Sequence, residues 1–321
     1  MVRGPGRARA VLGALATTLV VLTACSPTSP SSSSGPPASR ATATAVARDV
    51  GLEVELRQNR ADYADRVVQV RVTNRGGESV LVRTATLETP TTASVTTSDP
   101  ARGRDVPPGR AREYPVALAA PVCGDDGGAA RPPGPAGTGR AVVTLDLGPG
   151  GEAGGTDPAD GSPTAIVTLD AADPQGHLAR VQAEDCAAQT LAAAVAVQVT
   201  GPEVTGTGTA RRADLLLTVT PVPGGPPVTV ERVDGTVLLA PLDGTSWHPA
   251  ELAAPVEAPV TVRLPFRPAR CDAHAVAEDK RGTFLGVHAT VGGIAQHVVF
   301  VGGGPDLVGA VHDEVAAACG W

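Results

Sequence analysis

The sequence predicts a mainly β chain: two tandem immunoglobulin-like β-sandwich domains with a short C-terminal helix. Three observations carry this. Short segments alternating with period two dominate from residue 50 onward, the pattern of half-buried strands. Clusters of Gly, Pro and Asn separate them at short intervals, as turns do. The two halves also pass through the same order of strands, turns and cysteines, as a tandem duplication of one sandwich module would.

In the first half, Val50–Leu56 and Val68–Asn74 alternate apolar with small or polar residues, and Asn74-Arg75-Gly76-Gly77 makes a turn. Val80–Leu87 is a third strand, ended by Pro90. Pro107-Pro108-Gly109 turns into a fourth, Glu113–Leu118. Arg140–Leu147, Ala165–Leu169 and His177–Val181 complete the set. Asp125–Gly139 and Gly148–Pro163 are Gly/Pro-rich and read as surface loops.

The second half opens with Ala192–Val199. Leu215–Val219, Val228–Val233, Thr236–Leu239 and Thr261–Leu264 follow as strands, with Asp234-Gly235 as a break. Phe284–Thr290 and Ile294–Val301 form a closing pair across Val291-Gly292-Gly293. Tyr114-Pro115-Val116 leading to Cys123 matches Val262-Arg263-Leu264 leading to Cys271. Leu307, Val308, Val311 and Val315 recur at helical spacing behind Asp306, and Gly320 supplies a stop, so a terminal helix is expected over residues 305–318. The expected division is 1–24, 25–47, 48–189 and 190–321: leader, Ser/Pro/Thr-rich tether, first sandwich, and second sandwich with its helix.

The first 25 residues stand apart. Arg3, Arg7 and Arg9 precede an uncharged apolar stretch, Ala10–Val21, which reads as a signal peptide and is short of the ~20 residues a spanning helix needs. The segment closes on Leu22-Thr23-Ala24-Cys25, which resembles a bacterial lipobox. That resemblance implies a diacylglyceryl group on the Cys25 thiol and a chain held on the outer face of the cytoplasmic membrane. Two acyl chains hold where one is marginal, each buried CH₂ contributing about 0.8 kcal/mol. Ser26–Arg40 has no apolar periodicity and reads as the flexible tether.

Arginine outnumbers lysine 25 to 1, which reflects a high-GC codon bias rather than function. The formal charge is −7. Without the three leader arginines, 23 basic residues face 33 acidic ones, giving −10 for the mature chain. That balance argues against nucleic acid as a partner and against lying flat on anionic headgroups. Aromatics are 2% of the chain, so the cores must be built from Val, Leu and Ala.

With Cys25 consumed by lipid, Cys123, Cys186, Cys271 and Cys319 remain, an even number in a compartment that permits disulfides. Four cysteines allow three pairings. The duplication favours Cys123–Cys186 and Cys271–Cys319; bridges between the domains are the alternative.

The most suggestive polar cluster runs from Cys271 to Arg281 and includes Asp272, His274 and Glu278. Asp272 and His274 could orient one another for general-base work, or His274 and Glu278 could ligate a metal at i, i+4. Neither completes a site, and a solvated connection with salt bridges explains the same residues. The Arg-Cys-Asp-x-His stretch at Arg270–His274 and the terminal Ala-Cys-Gly-Trp at Ala318–Trp321 resemble those of secreted lipoproteins of high-GC Gram-positive bacteria of uncharacterised activity. The resemblance implies export and lipidation and no particular reaction.

His288 and His297 fall on adjacent expected strands and could approach each other, with His274 or His312 adding to a zinc or copper site. A solvated sheet face accounts for them equally. His177 and His248 have no partner in sequence. The Gly-x-Ser-x-Gly elbow, Ser-x-x-Lys, Cys-x-x-Cys and phosphate-loop patterns are absent, and no pattern calls for a cofactor. Trp247 and Trp321 read as core or end-capping residues rather than stacking platforms. The expectation is therefore a non-catalytic, lipid-anchored envelope protein; the second reading is a metal-handling or hydrolytic protein using the Asp272/His274 segment.

Overall fold

Two apolar cores, each enclosed by two antiparallel sheets, organise the chain. A computed structural model describes residues 51–59, 62–63, 65–124, 141–149, 165–277 and 282–321. The leader, Cys25, the tether and nearly all of both Gly/Pro-rich insertions lie outside these residues, as does Glu278.

In the first module, one sheet has the order β1 (Leu52–Arg57), β2 (Val67–Asn74), β6 (Ala111–Ala117). The facing sheet runs β4 (Thr96–Thr97), β3 (Val80–Glu88), β7 (Val142–Pro149), β8 (Ala165–Asp170), with β5 (Arg104–Val106) also paired to β3. Alternation fixes the inward residues: Val68, Val70 and Val72 of β2 face Val82, Ala85 and Leu87 of β3 across a core built mainly of Val and Leu. The second module repeats the plan. β9 (Val195–Thr205), β10 (Arg212–Pro221), β14 (Val260–Pro268) and β12 (Leu239–Pro241) form one sheet. β13 (Ser246–Trp247), β11 (Val228–Asp234) and β15 (Leu285–Val291) form the other, with β16 (Ile294–Ala295) and β17 (Val299–Val301) both on β15. Strand for strand this is the immunoglobulin-like arrangement: first, second and fifth main strands in one sheet, third, sixth and seventh in the other.

The duplication extends to detail. Each fifth strand carries a proline between two buried residues, Tyr114-Pro115-Val116 in β6 and Leu264-Pro265-Phe266 in β14. This moves the correspondence expected from sequence by two residues. Each third strand bulges at the same place, after Val82 in β3 and after Val230 in β11. Each module ends in a helix whose cysteine bonds back to the segment after the fifth strand: Cys123–Cys186 and Cys271–Cys319.

The first of these helices corrects the sequence reading. His177–Val181 was expected as a strand and Ala192–Ala194 as the start of another, yet all belong to one helix, α1 (His177–Ala194), which passes into β9 without a loop. The Asp173 carboxylate accepts the His177 and Leu178 N–H groups at 2.9 and 3.0 Å, capping orphan donors of the first turn. Alanine, the best helix former, fills much of the body. Leu178 packs into the first core, whereas Ala187, Leu191 and Ala194 pack into the second. The expected boundary at 189/190 thus falls inside a helix shared by both cores. Arg66 secures its middle, donating to Asp185 Oδ2 at 3.1 Å and the Val181 carbonyl at 2.8 Å.

Other differences are smaller. Thr236–Leu239 is mostly a turn, because Thr236 Oγ1 accepts the N–H groups of Leu238 and Leu239 and donates to the Gly282 carbonyl. Ile294–Val301 divides into β16 and β17, and Gly148 and Pro149 close β7 rather than opening a loop. The terminal helix, labelled α3 (Pro305–Cys319), spans one residue more than expected, with Leu307, Val311 and Val315 in the second core. No described helix is long and apolar enough to cross a membrane.

Candidate functional site

The segment singled out in sequence makes a turn. The Asp272 carboxylate accepts the His274 backbone N–H at 3.0 Å and caps a one-turn helix, α2 (Ala273–Ala277). It is spent on its own backbone, and Cys271 is in a disulfide rather than a free thiol. Nor do His288 and His297 join: His288 binds Asp234, and His297 Nδ1 lies 3.4 Å from the Val298 carbonyl. Among the described residues no group of three or more His, Cys, Asp or Glu side chains could hold a metal ion.

The polar residues that do converge lie on the outer face of the second module's β13-β11-β15 sheet. Period two turns Val228, Val230 and Val233 inward, but the bulge after Val230 leaves Glu231 and Arg232 both facing solvent. Arg232 then stands opposite His288, and Asp234 lies between Gly286 on one side and Ser246 on the other. Asp234 Oδ2 is 2.6 Å from His288 Nε2, and Asp234 Oδ1 accepts from Ser246 Oγ at 2.9 Å and Arg232 Nε at 3.2 Å. Gly286 leaves room for this, since a Cβ there would sit 3.4 Å from Asp234 Oδ2 and 3.2 Å from Val298 Cγ2. Beside the quartet, Thr290 donates to the Glu231 carboxylate, and His248 Nδ1 donates to the Glu231 carbonyl at 3.2 Å.

Partial burial alone would raise the Asp234 carboxyl's pKa. Hydrogen bonds from His288 and Ser246, with the charges of His288 and Arg232, outweigh it and hold the group below the ordinary carboxylate range. Asp234 is therefore an anion near neutral pH. In a hydrolytic triad the imidazole stands between hydroxyl and carboxylate. Here the carboxylate stands between them, and Ser246 Oγ donates to Asp234 rather than to the ring. The arrangement can fix charge and donors in space, not activate that serine.

The same positions in the first module are filled differently. Thr86 takes the place of Asp234, flanked in register by Thr97 and Thr144, while Thr84 faces Asp146 across the equivalent bulge. The hydroxyls of Thr86 and Thr97 bond at 2.8 Å and those of Thr144 and Thr168 at 3.1 Å, and Asp146 pairs with Arg83 at 3.9 Å: a threonine ladder beside one ion pair where the second module has the quartet. Sequence reasoning named His288 but missed Asp234, Ser246 and Arg232, because Asp234-Gly235 reads as a strand break and the bulge shifts the alternation. Comparing the two repeats position by position was the signal available.

No family model matches the chain, and no curated protein does. Among solved structures, the chain is similar to a transglutaminase from red sea bream (16% identity, TM-score 0.22, covering 78% of this chain and 30% of that one). It is also similar to the CsuC–CsuE chaperone–tip adhesion subunit complex of Acinetobacter baumannii pili (10% identity, TM-score 0.18, 74% of this chain and 92% of that one). The chain spans less than a third of the transglutaminase. At these scores neither likeness carries an argument about activity or partners.

Proposed function

We propose that this chain is a lipid-anchored, non-catalytic envelope protein that holds two sandwich modules outside the membrane and binds a partner through the outer face of the second. The observation that carries the binding part is the quartet Arg232–Asp234–Ser246–His288 standing where the first module has a threonine ladder. The first module builds the same face from threonines and an Arg83–Asp146 ion pair at 3.9 Å, so the fold does not require this quartet, which answers to something other than folding. Its members keep their heads partly in solvent, Arg232 and His288 on one side and Glu231 beyond, which suits a polar or mixed-charge partner surface. The anchor is supported by Leu22-Thr23-Ala24-Cys25 and the Ser/Pro/Thr-rich segment behind it.

Two measurements test this. Mass spectrometry of the mature N-terminus should find diacylglyceryl-Cys25, and Cys25→Ala should move the protein from the detergent phase to the aqueous phase. Envelope fractions should yield a specific partner to the wild type and at least tenfold less of it to Asp234→Asn/His288→Gln, with an unchanged circular dichroism melt. Equal capture by both forms rejects the second-module face; an unmodified N-terminus rejects the anchor.

A further inference from the structure

The first module meets the incoming chain at a pole rich in arginine. The Gly51 carbonyl accepts the Arg75 N–H at 2.7 Å, and Asn74 N–H donates to the Arg110 carbonyl at 2.9 Å. Gly51, the first described residue, is therefore one hydrogen bond away from Arg75, whose neighbour Asn74 is bonded to Arg110. These residues border a groove of about 810 Å3 on the outer face of β1, β2 and β6, into which Arg57, Arg71 and Arg112 also project. Three of the five guanidiniums are held: Arg57 by Glu55 at 3.0 Å, Arg75 by Glu53 at 2.9 Å and Arg71 by Glu113 at 3.6 Å. Arg110 and Arg112 are exposed, and among the described residues neither has a carboxylate within ion-pair distance. The opposing charges here are Glu53 and Glu55, paired with Arg75 and Arg57, and the exposed Asp170 and Glu78.

Net charge alone argues against contact with anionic lipid, since the whole chain is acidic at −7. The distribution argues otherwise, because Arg110 and Arg112, without an ion-pair partner among the described residues, sit close to Gly51, where the described chain begins. We propose that Arg110 and Arg112, with Arg75, dock the first module onto the phosphate headgroups of the membrane that carries the Cys25 lipid. This rests on the lipidation of Cys25 proposed above. Guanidinium forks bind phosphate oxygens in pairs. An arginine near an anionic surface strengthens binding only about fivefold, and salt screens it. The tether changes the outcome: the 26 residues from Cys25 to Gly51 span at most about 90 Å, so the headgroups are present at a high effective concentration.

The test uses the lipidated full chain on vesicles of phosphatidylglycerol or of phosphatidylcholine, with a guanidine-directed reagent read out by peptide mass spectrometry. On phosphatidylglycerol, Arg110 and Arg112 should label three- to tenfold more slowly than on phosphatidylcholine. Roughly 0.5 M salt should abolish the difference, and Arg263 and Arg267 of the second module should label alike on both lipids. Arg110→Ser/Arg112→Ser should remove the lipid-dependent protection of Arg75. Equal labelling of Arg110 and Arg112 on the two lipids overturns the proposal. Failure of the anchor is separately visible, because an unlipidated protein does not float with phosphatidylcholine vesicles at all.

Discussion

His177 Nδ1 lies 2.9 Å from a terminal nitrogen of Arg180, at the first turn of the helix shared by the two cores. A guanidinium only donates, so Nδ1 is the acceptor, the imidazole is neutral and its proton is on Nε2. Arg180 is itself held by Gln58 Oε1 at 3.0 Å and lies over the Tyr63 ring at 4.8 Å. Burial lowers the His177 pKa; Asp173 opposes it, Arg180 adds to it by less, and Glu55 opposes it least, leaving the group below its ordinary value. Above pH ~6.5 the ring is neutral folded and unfolded, and adds no pH dependence. Below it the unfolded chain takes up a proton that the fold resists, so stability falls from there down to the folded pKa. Thermal melts of the wild type should show this loss as the pH drops below about 6.5, and His177→Gln, which keeps an acceptor and does not titrate, should show a shallower one.

The two disulfides should contribute similarly to stability. They close loops with sequence separations of 63 and 48, for which the chain-entropy model gives about 4 kcal/mol each. Cys123→Ser/Cys186→Ser and Cys271→Ser/Cys319→Ser should each lower the denaturant midpoint accordingly. A loss under ~1 kcal/mol in either would show that the model's reference state fails for that module.

Asn74 is fully buried and satisfied on both sides of its amide. Its Nδ2 donates to the Glu78 and Val106 carbonyls at 2.7 and 2.8 Å, and its Oδ1 accepts from Gly76 N–H at 2.8 Å. Asn74→Ala should cost about 3 kcal/mol in chemical unfolding, since it strands the buried Val106 carbonyl and two partly buried backbone groups of the turn after β2. Asn74→Asp should be no milder, because it places a charge against two carbonyls.

The two tryptophans differ in environment. Trp247 is 7% exposed and donates from Nε1 to the Pro265 carbonyl at 2.8 Å, while Trp321 is 51% exposed. Trp247→Ala should therefore cost roughly 3–5 kcal/mol, and Trp321→Ala should stay within about 0.5 kcal/mol. Iodide should quench the Trp321 emission selectively, leaving a blue-shifted signal from Trp247.

Local alternation made most main strands legible, and duplication pointed to the two cysteine pairs. The helix over His177–Ala194 was not legible because it has no single apolar stripe. Leu178 serves one core and Leu191 the other, so its buried residues wind around it instead of recurring on one face. Asp173, the cap that starts it, sits in an Asp-Pro-Gln-Gly stretch that reads as a loop. The candidate site was hidden for a different reason. Asp234 meets Ser246 and Gly286 only through cross-strand register, which is non-local, and the extra residue Glu231 breaks the phase on which a face assignment depends. Trp321, read as a core or capping residue, lies at the surface.

The covalent loops also fix how the protein responds to mechanical load. A force applied between Cys25 and a partner gripping the second module must pass through the first module and then through α1 into β9, a continuous backbone with no slack linker between. The Cys123–Cys186 bond offers a shortcut across that path. Even if the first module were pulled apart, the 63-residue stretch it closes, about 210 Å of contour, could not pay out while the bond is intact. The extensible length is thus set by the redox state of the surroundings: the 63 residues inside the bridge are added to it only once a reductant reaches Cys123, whose side of the bond faces solvent.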